Sequence, residues 1–68
     1  MLSIQTIKRV AARHRLSLSD EAAALVLVDS FEGETVGAAL VDFLNAYEGV
    51  SDRTIKAILN DPEAGAIV

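Results

Sequence analysis

Seven successive apolar residues, Ala22 to Val28, stand near the middle of a 68-residue chain that has no cysteine. A chain this short buries only about 60% of its extended surface. Without disulfides, its stability has to come from a good apolar core or from self-association, and the 51% apolar content can supply either. Periodicity alone does not separate a buried strand from a helix over so short a run; three alanines and the absence of a partner strand favour a helix. A helix apolar on every side must be covered on every side, and in so small a domain a second copy is the expected cover. Leu25, Val26 and Val28 are accordingly the expected dimer-interface residues.

Around this run the chain divides into four helical segments with no low-complexity linker, so residues 1–68 form one domain. Ile4, Ile7, Val10 and Ala11 recur at helical spacing and predict an amphipathic helix over residues 3 to 15, with Ser3 as its N-cap. Ser19 or Asp20 caps the second helix, whose first turn holds two acids at the positive end of the helix dipole. Gly33 either ends that helix or sits inside a longer one at a cost of about 1 kcal/mol relative to alanine. Val36, Leu40, Phe43 or Leu44, and Tyr47 mark the next helical face, and Gly49 suits its C-terminal stop, where a positive φ costs glycine little. Ser51 caps a short last helix, Ile55, Ile58 and Leu59 point inward from it, and Pro62 stops it. The tail after Pro62 is expected to fray unless Ile67 and Val68 close over the core.

The net charge of −4 conceals an asymmetry. Residues 1–19 hold Lys8, Arg9, Arg13 and Arg15 and no acid, whereas residues 20–68 hold all ten acids against Arg53 and Lys56. The first helix is thus a candidate anchor for phosphate or for an acidic partner, or else it pairs with the chain's own acids. Catalytic chemistry is not suggested. His14 is the single histidine and stands between two arginines, which gives neither a metal site nor a catalytic pair. Asp29, Glu32 and Glu34 lack the spacing of a calcium loop, and Gly33 and Gly37 lack the pattern of a phosphate loop. The two phenylalanines and the tyrosine fall at core spacing and do not suggest a stacking platform for single strands. No stretch approaches the roughly 18 apolar residues of a membrane span, and the start lacks the apolar core of a signal peptide. The expectation is a cytoplasmic protein with no enzyme activity, no cofactor and no membrane partner.

One stretch carries a more specific signal. From Leu40 to Leu59 the chain supplies a helix with Leu44 inside, Gly49 at a tight turn, Val50 at the corner, and a second helix with Ile55 and Ile58 inside. "GVSDRTIKAILN" resembles the headpiece pattern of the lac repressor family, a helix-turn-helix that reads double-stranded DNA. The resemblance covers only about 20 residues, those from 40 to 60. It implies that the positions after Ser51, Asp52 and Arg53, face base edges, that Thr54 and Asn60 meet backbone phosphate, and that Lys56 lies on the outer face nearby. Lys8, Arg9 and Arg13 would add phosphate contacts from the first helix. The chain departs from the family at Asn45, where the family has a small alanine, and in the acids Asp42, Glu48 and Asp52 around the site. Gly49-Val50-Ser51 also reads simply as a helix stop followed by a helix cap. A second, weaker resemblance takes in residues 4 to 60. "SDEAAAL" through "AYEG", followed by "RTIKA", is similar to the long central helix of an archaeal histone, its closing glycine and the loop beyond, although Gly33 and Gly37 would lie inside that helix.

The sequence thus predicts an all-α fold, a compact bundle of four short helices with a C-terminal helix-turn-helix-like pair. The expected function is a small DNA-binding regulator with Ser51, Arg53, Thr54, Lys56, Asn60, Lys8, Arg9 and Arg13 as contacts. The alternative is an acidic interaction module, a dimer of histone-like form included, that binds another polypeptide. Under either reading a homo-oligomer is expected.

Overall fold

The computed structural model describes residues 4–30, 33–47 and 49–66. The expectations placed on Ser3, Phe31, Glu32, Glu48, Ile67 and Val68 fall outside the described residues. Four helices make up the fold: α1 (Ile4–Arg13), α2 (Asp20–Asp29), α3 (Val36–Tyr47) and α4 (Asp52–Leu59). Helix α3 is central and packs against each of the other three.

The amphipathic pattern of α1 is realised, with Ile7, Val10 and Ala11 fully buried and Ile4 packed at their edge. The helix ends in a Schellman turn. Leu16 N–H donates to the Ala11 carbonyl at 3.0 Å and Arg15 N–H to the Ala12 carbonyl at 3.1 Å. The left-handed residue that such a turn requires is Arg15, with φ 61°, where glycine or asparagine is usual.

Ser19 caps α2, its Oγ accepting from Ala22 N–H at 3.1 Å. Within the apolar run, Ala23 and Val26 enter the core whereas Leu25 and Val28 are 45% and 76% exposed. Val26, expected at an interface, is 1% exposed and packs in the chain's own core, whereas Leu25 and Val28 are the accessible members of that set. Ser30 closes α2 in an extended conformation and Gly33 takes φ 82°. The stretch that a histone-like reading would run as one long helix is therefore two, α2 and α3.

Helix α3 supplies more of the core than any other helix, with Val36, Leu40 and Leu44 fully buried. Tyr47, expected on the same face, is 64% exposed and leans on Phe43, the ring centroids 4.9 Å apart. The start of α3 is capped from two directions. Thr35 Oγ1 accepts from Ala38 N–H at 3.2 Å. The tail supplies the rest: Val36 N–H donates to the Ala66 carbonyl at 2.9 Å and Gly37 N–H to the Ala64 carbonyl at 3.0 Å. These bonds satisfy donors that every helix N-terminus leaves open. Residues 63–66 are therefore docked where fraying was expected, and Ala64 is 4% exposed. Gly37 permits the approach, since a Cβ there would stand 2.8 Å from Ala64 Cβ.

Gly49, with φ 66°, turns the chain between α3 and α4. Ser51 Oγ caps α4 by accepting from Thr54 N–H at 3.3 Å. Ile58 is fully buried, Ile55 and Val50 pack partly against the core, and Leu59, expected inside, is 51% exposed.

Candidate nucleic-acid interface

The charged residues sort into two groups, those paired within the chain and those without a carboxylate partner. Arg9 and Arg13 stand four apart on α1, hence on one face. That face meets the turn "DPE" just beyond α4. Arg13 grips Asp61 with both arms of its guanidinium, Nη2 to Oδ1 at 2.6 Å and Nε to Oδ2 at 2.9 Å. Arg9 does the same to Glu63, at 2.7 and 3.0 Å. Arg13 Nη1 bridges the two acids through Glu63 Oε1 at 2.7 Å. His14 Nε2 lies 2.9 Å from Asp61 Oδ2.

The Asp61 side chain is only 2% exposed, so its charge needs these partners. It also accepts from Glu63 N–H at 2.9 Å, which fixes the turn at Pro62. The Arg13 hydrogen bonds are the main reason that the Asp61 carboxyl stays ionised far below the usual carboxylate range, with the Glu63 amide and His14 assisting. Against an ionised carboxylate the His14 Nε2 has to be the donor, so the ring carries a proton on that nitrogen. Glu63 is pulled from 4.5 to about 2, chiefly by its hydrogen bonds to Arg9 and then Arg13. Lys8 completes the set, its Nζ 2.6 Å from Asp20 Oδ1 at the start of α2.

Lys8, Arg9 and Arg13, expected to meet phosphate, are thus engaged with the chain's own acids. Sequence reasoning missed Asp61 and Glu63. The available signal was an acid on each side of Pro62 in a chain whose first helix held only cations; what the sequence does not display is the contact between residues 54 apart that joins them.

Among the described residues, no carboxylate pairs with Arg15, Arg53 or Lys56. On α4, Arg53, Lys56 and Asn60 recur at i, i+3 and i+7 and share its outer face, where all three are exposed. They span about 10 Å along the axis. Ser51 and Thr54 hold the start of this helix, with 3.1 Å between their side-chain oxygens. Asn60 stands at the C-cap. The structure brings Arg53 and Thr54 to the end of α1, where they line an open cleft of about 390 Å³ together with Arg13, His14, Arg15 and Ala57.

Of the described acids that the sequence set against this interface, one lies away from it and one remains at it. Asp42 lies on a different groove of about 280 Å³, with Asp29 and Glu34 beside the Phe43–Tyr47 pair. Asn45 is exposed and so is not held between α3 and α4. Asp52 remains an exposed acid on the first turn of α4, beside Arg53. Arginine forks of this kind take phosphate or carboxylate oxygens in pairs.

No helix among the described residues is long and apolar enough to cross a membrane. Comparison with protein-family models, with curated proteins and with solved structures finds no match to this chain.

Proposed function

We propose that this chain is a small helix-turn-helix DNA-binding regulator that acts without catalysis, with α4 as the element that enters the major groove. One observation carries the reading. Pairing within the chain removes Lys8, Arg9 and Arg13 from the surface charge, and the cations without a carboxylate partner among the described residues are gathered on the outer face of α4 and at the adjoining end of α1. These are Arg53, at a position that the lac-repressor-like pattern assigns to a base edge, and Lys56 on the outer face nearby, with Arg15 beside Arg53. Asn60 ends the same stripe. In this arrangement Arg53 reads a base edge, Lys56, Asn60 and Arg15 meet phosphate, and Ser51 and Thr54 hold the geometry of the first turn.

Binding of random-sequence duplex DNA at two salt concentrations tests this. Two phosphates neutralised per protomer, by Lys56 and Arg15, give a slope of about −1.8 in log affinity against log salt. Raising salt from about 50 to 200 mM then weakens binding roughly 12-fold per protomer engaged. Arg53→Ala relaxes sequence preference by about 1 to 3 kcal/mol. Lys8→Ala leaves the slope unchanged, because Lys8 is held by Asp20. Failure to bind duplex at either salt removes the reading.

A second reading rests on α2. Leu25 and Val28 are three residues apart and 45% and 76% exposed, an apolar stripe that suits a protein partner. In so small a domain the partner of choice is a second copy of the chain.

A further inference from the structure

We infer that the cleft between the end of α1 and the first turns of α4 is a binding site for a phosphate group, with Arg15 as its ligating arm beside Arg53, whose guanidinium reads the adjoining base edge. The inference rests on the proposed DNA-binding reading for its natural ligand, a backbone phosphate, and adds a contact that the helix-turn-helix pattern does not supply, since Arg15 lies outside residues 40–60.

Three features of the cleft converge. Its lining among the described residues, Arg13, His14, Arg15, Arg53, Thr54 and Ala57, contains no acid and brings the guanidinium groups of Arg15 and Arg53 to one concavity beside Arg13, whose charge Asp61 and Glu63 already balance. Like charges gathered in this way repel, and an anion between them relieves the repulsion. Asp61 holds Arg13 and His14 from behind through bonds of 2.6 to 2.9 Å, so these two form a fixed wall. Arg15 and Arg53 have no carboxylate partner among the described residues, which leaves Arg15 to reach the phosphate and Arg53 the base beside it.

The second feature is conformational. Arg15 occupies the left-handed position of the Schellman turn at φ 61°, where a side chain is strained and glycine would be at ease. Strain held at a non-glycine residue beside a cleft points to a use for that side chain.

The third is size. A volume of about 390 Å³ exceeds what one phosphate fills, and the cleft is open to solvent, as suits a phosphate still attached to a chain.

The strained backbone also provides a clean variant. Arg15→Gly deletes the guanidinium while relieving the positive φ, so the protein should melt no earlier than the parent. Loss of binding in that variant is then not loss of fold. Two titrations are followed by backbone amide shifts on the full chain, one with a short random-sequence duplex and one with inorganic phosphate. In the parent, both should move the amides of Arg15, Arg53, Thr54 and Ala57. Arg15→Gly should flatten the salt slope for duplex by about one unit and weaken binding about eightfold at 0.1 M salt. Arg15→Lys should recover most of the slope and less of the affinity, because an ammonium lacks the planar fork.

Duplex binding with the same slope and affinity in Arg15→Gly would overturn the cleft while leaving α4 as a DNA reader. Absence of duplex binding in the parent would remove the DNA reading, and inorganic phosphate would then decide the site. Shifts lost in Arg15→Gly would establish a site for free phosphate; no shifts in the parent would overturn it. Shifts with a poly-glutamate peptide and none with either phosphate probe would overturn it also, in favour of an acidic polypeptide.

Discussion

Asp61 is the residue on which most of the polar structure converges. One carboxylate, 2% exposed, accepts from both arms of Arg13, from His14 and from the Glu63 amide. Breaking a buried ion pair from one side costs about 3 to 5 kcal/mol. Arg13 is 39% exposed and can turn to water, so Asp61→Asn should lose about 2 to 3 kcal/mol in urea unfolding. The pH dependence follows from the direction of the shifts. Both carboxyl groups are depressed in the fold, Asp61 far below the usual range and Glu63 from 4.5 to about 2. The unfolded chain therefore binds protons before the folded one as pH falls. The stability they contribute is fully present above the ordinary carboxylate range and drains away from about pH 5 down through pH 2. A urea midpoint that is level near neutrality and falls over that window is expected, with a shallower fall in Asp61→Asn. At this scale the sequence was legible where a residue acts on its neighbours, as Ser19 and Ser51 do in capping the helices that begin beside them. It was not legible at Asp61, whose partners lie 47 and 48 residues away.

The helices themselves follow closely from their patterns, and the departures from expectation occur at their ends. α1 stops at an arginine in a left-handed turn, a place where composition offers no glycine to mark it. α3 begins with bonds accepted by the carbonyls of Ala64 and Ala66, so its start is defined by residues far along the chain. Gly37 makes the consequence measurable. In an ordinary helix, Gly37→Ala would gain about 1 kcal/mol. Here the added methyl would meet Ala64 Cβ at 2.8 Å, and overpacking of this kind costs about 1 to 3 kcal/mol. The variant should therefore be less stable than the parent by about 1 kcal/mol. Adding Ala64→Gly should restore most of the loss, and a double variant no better than Gly37→Ala alone would show that the tail does not press on α3.

At the scale of the molecule, the chain spends its basic helix on itself and leaves two surfaces of opposite character. One is the cationic face around α4; the other is the acidic groove of Asp29, Glu34 and Asp42, near the exposed Tyr47. The apolar run that dominates the sequence is divided between core and surface. Leu25→Lys with Val28→Lys should leave the unfolding midpoint of the monomer nearly unchanged while abolishing any concentration-dependent dimer in sedimentation. Val26→Asp should instead unfold the domain, because it places a charge among fully buried side chains. The all-α class and the four segments were readable from periodicity, since each depends on residues a few places apart. The interhelical arrangement, the fate of the basic helix and the cleft at Arg15 were not, because each is created by closure of the chain's two ends. That closure also sets a schedule for biosynthesis. Arg9 and Arg13 cannot find Glu63 and Asp61, nor α3 its first-turn acceptors, until residue 66 has left the ribosome. A nascent chain stalled before that point carries Arg9 and Arg13 without their acids and an α3 capped by Thr35 alone, so this domain completes its fold only after the "DPEAGA" segment has been made.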